Sequence, residues 1–294
     1  MTSKEEKAES DIGRMRKRCM ITVHQSKRNK AVKQELLLVE KQEKRMAQAA
    51  MKAKPATWKT ALENKIPQKV YTGLKSAFCK GFSLVFQQGR TVIEKGCRKE
   101  DIQADYAIQD FAVQLKGSRK ELKKLHRQVK QADLINLAVT TVEGIGLGAL
   151  GIGMPDIVLF LGTLLKGIYE TALHYGFDYD SRQEQLLILK MMEVSLSNGA
   201  DWAGKNAEVE EMLSQQTPEV TDEDFQSQIK ATASAFAVDM LLLKFVQGLP
   251  VVGILGGAAN PIYYRKVMNY VQLKYRKRYL LKQKGDVPFE DTLQ

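Results

Sequence analysis

Twenty-two consecutive residues, Gly144 to Leu165, carry a single charge, Asp156, placed directly after Pro155. A stretch of that length can cross a bilayer, which takes roughly 20 apolar residues. Its interruption argues against a span: an ionised Asp at mid-depth costs several kcal/mol. Two short apolar helices joined by a turn at Gly153–Pro155 fit better, with Asp156 capping a helix that starts near Ile157 and Pro155 fixing the turn. A second segment, Phe245 to Tyr264, echoes the first. Gly248-Leu-Pro250 repeats Gly153-Met-Pro155, and Gly253/Gly257 repeats the Gly-x-x-x-Gly spacing of Gly144/Gly148, which lets helix backbones approach closely. Two Gly/Pro-interrupted apolar helical hairpins in mutual contact are expected, and the glycines serve a tightly packed soluble core as well as a membrane-inserted one.

The rest of the chain reads as helix. Val70, Leu74, Ala77/Phe78 and Gly81/Phe82 mark one buried face; Ile108, Phe111/Ala112 and Leu115 mark another. Gly117-Ser118 is a break, after which Leu122, Leu125 and Val129 resume at helical spacing in a very basic helix. Tyr175-Gly176 has the form of a helix end with Gly176 in the left-handed position, and Ser181-Arg-Gln-Glu184 that of a capping box. No six-residue stretch alternates apolar and polar between turn signals. The fold class is all-α: a multi-helix domain over 55–284, a basic helical or flexible extension over 1–54, an acidic surface excursion over 198–220 and a tail over 285–294.

Charge is concentrated at the ends. The chain is +11 overall, yet residues 1–54 carry +8 and residues 265–284 another +8, leaving −5 for the remainder. Arg16, Lys17 and Arg18 flank an apolar stripe (Ile12, Met15, Cys19/Met20, Val23), the pattern of a helix lying on an anionic membrane. Lys274, Arg276, Lys277 and Arg278 form the second cluster, on a helix whose stripe of Tyr264, Val267/Met268, Val271 and Tyr275 should pack on the hairpins. Both clusters are candidate anion- or lipid-binding residues. Three cysteines, Cys19, Cys79 and Cys97, are too few for a disulfide scaffold. With no apolar run in the first 30 residues, a cytoplasmic protein peripheral to the inner face of the membrane is the expectation.

Chemistry is sparsely marked. The glycine run lacks the strand of a dinucleotide fold and the Gly-Lys-Ser/Thr of a phosphate loop. The histidines His24, His126 and His174 lie far apart, so no metal site and no cofactor is expected. The catalytic candidates are Glu143 and Asp156, carboxylates in the most apolar stretch, with His174 third; whether the chain is an enzyme stays open at this level.

Glu143-Gly-Ile-Gly-Leu-Gly, Gly153-Met-Pro-Asp156, Tyr175-Gly-Phe-Asp178, Phe245-Val-Gln-Gly-Leu-Pro250-Val-Val-Gly and Asn260-Pro-Ile-Tyr-Tyr together resemble the EcsC-type proteins, over Trp58 to Lys284 with the first 54 residues outside. The resemblance implies a bacterial protein, cytoplasmic or membrane-peripheral. The family takes its name from a protein encoded beside the components of an ABC transporter, and it supplies no catalytic mechanism. On this reading Gly144, Gly148, Pro155, Gly176, Pro250, Gly253, Gly257 and Asn260 are motif positions serving the fold as much as the function. The leading expectation is a membrane-associated accessory protein linked to ABC transport or secretion, with a membrane protein or transporter as a further partner. The alternative is a hydrolase acting on a membrane-derived substrate through Glu143 and Asp156. Nucleic acid is the weakest partner class: tyrosines interleave with Lys and Arg near the C-terminus, but that mixture is equally typical of membrane interfaces.

Overall fold

The computed structural model describes residues 3–52, 68–87, 98–147, 154–214, 219–246 and 259–285; side-chain surroundings are described there except at 3–24, 135, 137–147, 154–156, 243–246, 259 and 260. Among the described residues there are nine helices and no strand. They are α1 (Ser3–Lys52), α2 (Gln68–Gln87), α3 (Lys99–Lys116), α4 (Arg119–Leu147), α5 (Met154–His174), α6 (Arg182–Leu196), α7 (Gly199–Ser214), α8 (Asp222–Val246) and α9 (Ala259–Gly285).

Two packing regimes share α5 as a common wall. On one side α2, α5 and α8 close an aromatic core: Phe236 stacks on Phe78 at 5.2 Å between ring centroids and meets Phe160 edge-on at 6.1 Å. Gly81 brings α2 close to α5, since a Cβ there would lie 2.8 Å from the Ile157 side chain. The expected α2 face is the observed one, with Leu74, Phe78 and Phe82 buried. On the other side α9 runs through the middle of the bundle, touching α1, α4, α5, α6 and α7. Its predicted stripe is buried from Tyr264 through Tyr275.

The helix ends follow from local sequence. Gly176 has φ 75°, and bonds from Phe177 N to Ala172 O and from Gly176 N to Leu173 O, both 2.9 Å, complete a Schellman turn after α5. The Tyr106 ring is pressed against Gly176 where a Cβ would stand, so this glycine serves both φ and packing. Ser181 Oγ accepts from Glu184 N at 3.1 Å, but the Glu184 side chain does not reach back: it is buried and turned toward α9. A reciprocal box opens α8 instead, where Thr221 and Asp224 exchange backbone-to-side-chain bonds of 3.1 and 3.2 Å.

Several sequence expectations are corrected. Residues 1–54 are not an appendage throughout: α1 is one 50-residue helix whose Val32, Glu35 and Val39, at i, i+3 and i+7, are buried against the bundle. Most of the 198–220 stretch is not an excursion, because α7 (Gly199–Ser214) packs between α6 and α1 with Trp202 and Val209 buried, while 215–218 lie outside the described residues. The apolar stripe of α3 points outward: Ile108 is 64% exposed, and Phe111 and Leu115 are each 58% exposed, while Gln109 and Val113 face inward.

The first apolar segment contributes the end of α4 and the start of α5, which pack on each other, and Gly148 to Gly153 lie outside the described residues. Of the second, Pro250, Gly253 and Gly257 also lie outside, and Asn260 falls in the first turn of α9. Helices α5 and α9 do touch, and their close approach is at Gly167, where the Tyr264 hydroxyl occupies the space of a side chain. Helix α5 starts at Met154, so Pro155 and Asp156 lie inside its first turn instead of preceding it. Residues Ile157–His174 are long and apolar enough to span a membrane, yet 61% of that window is buried inside the bundle. It reads as a core helix.

Candidate functional site

Helix α9 carries the densest positive charge of the chain, and the fold turns most of it inward. Lys274 is 1% exposed and Arg276 7%. Five of its eight cations, Lys266, Lys274, Arg276, Lys277 and Arg278, meet carboxylates carried by other helices. Lys266 binds Asp239 of α8 at 2.9 Å; Lys274 and Lys277 share Glu43 of α1 and Glu210 of α7; Arg278 makes two bonds, 2.7 and 2.8 Å, to Glu184 of α6. Arg276 pairs with Glu35 of α1, which Arg119 at the start of α4 also holds. Tyrosine hydroxyls extend the network, Tyr275 donating to Glu184 at 2.6 Å and Tyr279 to Asp110 of α3 at 2.8 Å. Burial raises the Tyr275 hydroxyl well above its ordinary pKa, and the neighbouring Glu184 adds to this, so it remains a donor. Although burial opposes it, the ammonium of Lys274 and then that of Lys277 hold Glu210 below its usual value.

The expected lipid-binding role of Lys274, Arg276, Lys277 and Arg278 is thereby corrected. Buried charges need partners, and these have them within the chain. The side chains of Arg16, Lys17 and Arg18, and those of Glu143, Gly144, Pro155 and Asp156, lie outside the described residues, so the hydrolase reading gains no geometry. His174 closes α5, its pKa lowered by burial against the opposing pull of Asp105.

Two features escaped the sequence. The first is His126, whose Nδ1 lies 2.8 Å from the buried Tyr175 hydroxyl. Burial first, then the charges of Arg276 and Lys130, push its pKa down to about 3, so the ring is neutral. Beside it, Asp133, Tyr264 and Gln272 converge over Gly167. Burial pushes the Asp133 carboxyl up against the pull of Gln272 and Tyr264, yet Asp133 Oδ1, Tyr264 OH and Gln272 Nε2 close no hydrogen bond of normal geometry.

The second is the outward surface of the α3–α4 hairpin. While α3 exposes Ile108, Phe111 and Leu115, α4 presents Lys120, Lys123/Lys124, Arg127 and Lys130 at i, i+3/i+4, i+7 and i+10, all exposed. None of these five cations forms an ion pair among the described residues, whereas the one carboxylate within that run, Glu121, is buried and meets Lys116 at 3.6 Å. This basic helix was visible in the sequence; that its charge stays unneutralised, unlike that of α9, was not.

The model of the EcsC protein family matches residues 30–280. The matched region begins inside α1, where Ala31 and Val32 are buried, well before Trp58. No curated protein and no solved structure matches the chain.

Proposed function

We propose, for a chain that belongs to the EcsC protein family, a peripheral membrane protein that docks on anionic lipid through the α3–α4 hairpin. One observation carries the reading: α3 leaves an apolar ridge exposed and α4 a row of cations, on consecutive helices that pack together. A soluble helix ordinarily turns its apolar stripe inward, and α3 does the opposite at positions where nothing else in the described chain covers it. Ile108, Phe111 and Leu115 would enter the headgroup boundary while the α4 cations meet lipid phosphates. Each Lys or Arg near an anionic leaflet is worth roughly 1 kcal/mol, and the attraction fades within a Debye length of about 8 Å. The apolar core helix α5 stays inside the bundle on this reading, and a membrane protein such as a transporter would be met at the same face.

Sedimentation with phosphatidylcholine vesicles, with and without phosphatidylglycerol, tests it. Binding should need the anionic lipid and fall steeply with salt. Lys123→Gln with Arg127→Gln removes two exposed cations and should weaken binding roughly thirtyfold, the equivalent of about 2 kcal/mol, with the melting temperature retained. Phe111→Asp should weaken it further. Affinity indifferent to all three changes would sink the reading.

A further inference from the structure

We infer that a pocket between α1, α4 and α9 is a binding site for a phosphate group, either of a soluble phosphomonoester or of a lipid headgroup. The pocket, about 240 Å³, is lined by Arg45 and Gln42 of α1, His126 and Lys130 of α4, and Asn269, Gln272 and Arg276 of α9, with no carboxylate in its wall. That lining inverts the rule of the neighbouring interior, where the cations of α9 are matched by acids. Behind the wall Glu35 is shared between Arg276 and Arg119, so one carboxylate answers two guanidiniums. Burial chiefly lowers the pKa of His126, and the charges of Arg276 and Lys130 beside it act in the same direction.

The donors are also held in place. Arg276 is nine-tenths buried and anchored through Nη2 to Glu35, and its planar fork suits a phosphate. Gln272 is 6% exposed, and its amide is held against Asp133, whose carboxyl it pulls down against burial. Arg45 and Lys130 are exposed at the rim and bear no ion pair among the described residues. The volume admits a phosphate and a few further atoms, which limits the recognised part to a headgroup or small metabolite. The site does not depend on the membrane reading, although Lys130 ends the cation row of α4.

Calorimetry on the full chain with inorganic phosphate and with glycerol 3-phosphate tests the soluble source. Vesicles of phosphatidic acid compared with phosphatidylglycerol at matched surface charge test the lipid source. Arg45→Gln with Lys130→Gln alters two exposed positions and leaves the buried network intact. Removing two charged donors should weaken phosphate binding at least tenfold. In the lipid case the variant should lose the preference for phosphatidic acid while retaining charge-driven binding to phosphatidylglycerol. Saturable binding of either soluble probe that the variant loses supports the site, as does a lost phosphatidic acid preference. No binding of either soluble probe together with no preference between the lipids would overturn it. So would probe affinity unchanged in the variant, which would mark an adventitious ion only. Loss of all vesicle binding in Lys123→Gln/Arg127→Gln with soluble phosphate binding unchanged would separate the membrane surface from the pocket.

Discussion

Glu35→Ala should lower the stability of the protein by about 3–5 kcal/mol, the range for removing one partner of a buried ion pair. The carboxylate is 2% exposed and, among the described residues, is the one acidic partner of Arg276, a guanidinium itself 7% exposed. Its loss leaves Arg276 desolvated with no compensating charge, and frees Arg119 at the first residue of α4. Since domains of ordinary stability are held by about 5–15 kcal/mol, the variant should lose a large part of its margin. The urea midpoint measures this, provided the slope is unchanged. Asp222→Ala is the matched control. It breaks the Arg182–Asp222 pair, in which Asp222 is 88% exposed, and should cost no more than about 1 kcal/mol. Equal effects of the two variants would mean that the α1–α9 seam is not held by buried charge. By the same argument, joint replacement of Lys274, Arg276, Lys277 and Arg278 by Gln unfolds the domain instead of leaving it intact, because Glu43, Glu184 and Glu210 then lose their partners.

What the sequence made legible was local. The Gly176 turn, the Ser181 cap, the α2 face and the stripe of α9 each depend on residues within a few positions of one another, and each stands in the structure. The misread elements depend on partners far along the chain. Arg276 and Glu35 are 241 positions apart, and Lys274 and Glu43 are 231 apart, so a row of cations reads as a surface when only its neighbours are in view. Three of the acids that neutralise α9, Glu35, Glu43 and Glu210, lie in the segments whose polarity reads as an extension and an excursion. Helix α1 packs with few apolar residues because Glu35 and Glu43 replace apolar contact with charge pairing. Helix α3 misled in the opposite sense. Its stripe at i, i+3 and i+7 has the period of a buried face, and periodicity reports that a stripe exists without saying what covers it. The same physics explains the candidate surface: the exposed cations of α4 form no ion pair among the described residues, and no local signal separates them from the paired cations of α9.

Acidification should destabilise the protein well before its carboxylates titrate, and His126 is the reason. Unfolded, its imidazole has an ordinary pKa of about 6.5. Folded, burial and the adjacent Arg276 and Lys130 bring it to about 3. Above pH 6.5 the ring is neutral in both states, and the folded state has its full stability. Between 6.5 and 3 the unfolded chain takes up a proton that the folded chain refuses, so stability falls with pH at a slope approaching 1.4 kcal/mol per unit. The loss from this one group should reach about 2 kcal/mol at pH 5 and about 3 kcal/mol at pH 4. His174, lowered by burial, acts in the same direction. Glu210, whose folded pKa is lowered by its lysines, contributes stability that is lost only as pH falls below about 4.5, and Asp133, raised by burial, acts in the opposite sense, so the comparison with a variant lacking the imidazole isolates the part of His126. His126→Gln keeps a polar group within reach of the Tyr175 hydroxyl and removes the titration. Denaturation midpoints taken at intervals from pH 7 to pH 5 should therefore fall along a clearly shallower line in the variant than in the wild type. Parallel lines would show that His126 takes up its proton in the folded protein as readily as in the unfolded one, so that neither its burial nor the charges of Arg276 and Lys130 hold the ring neutral.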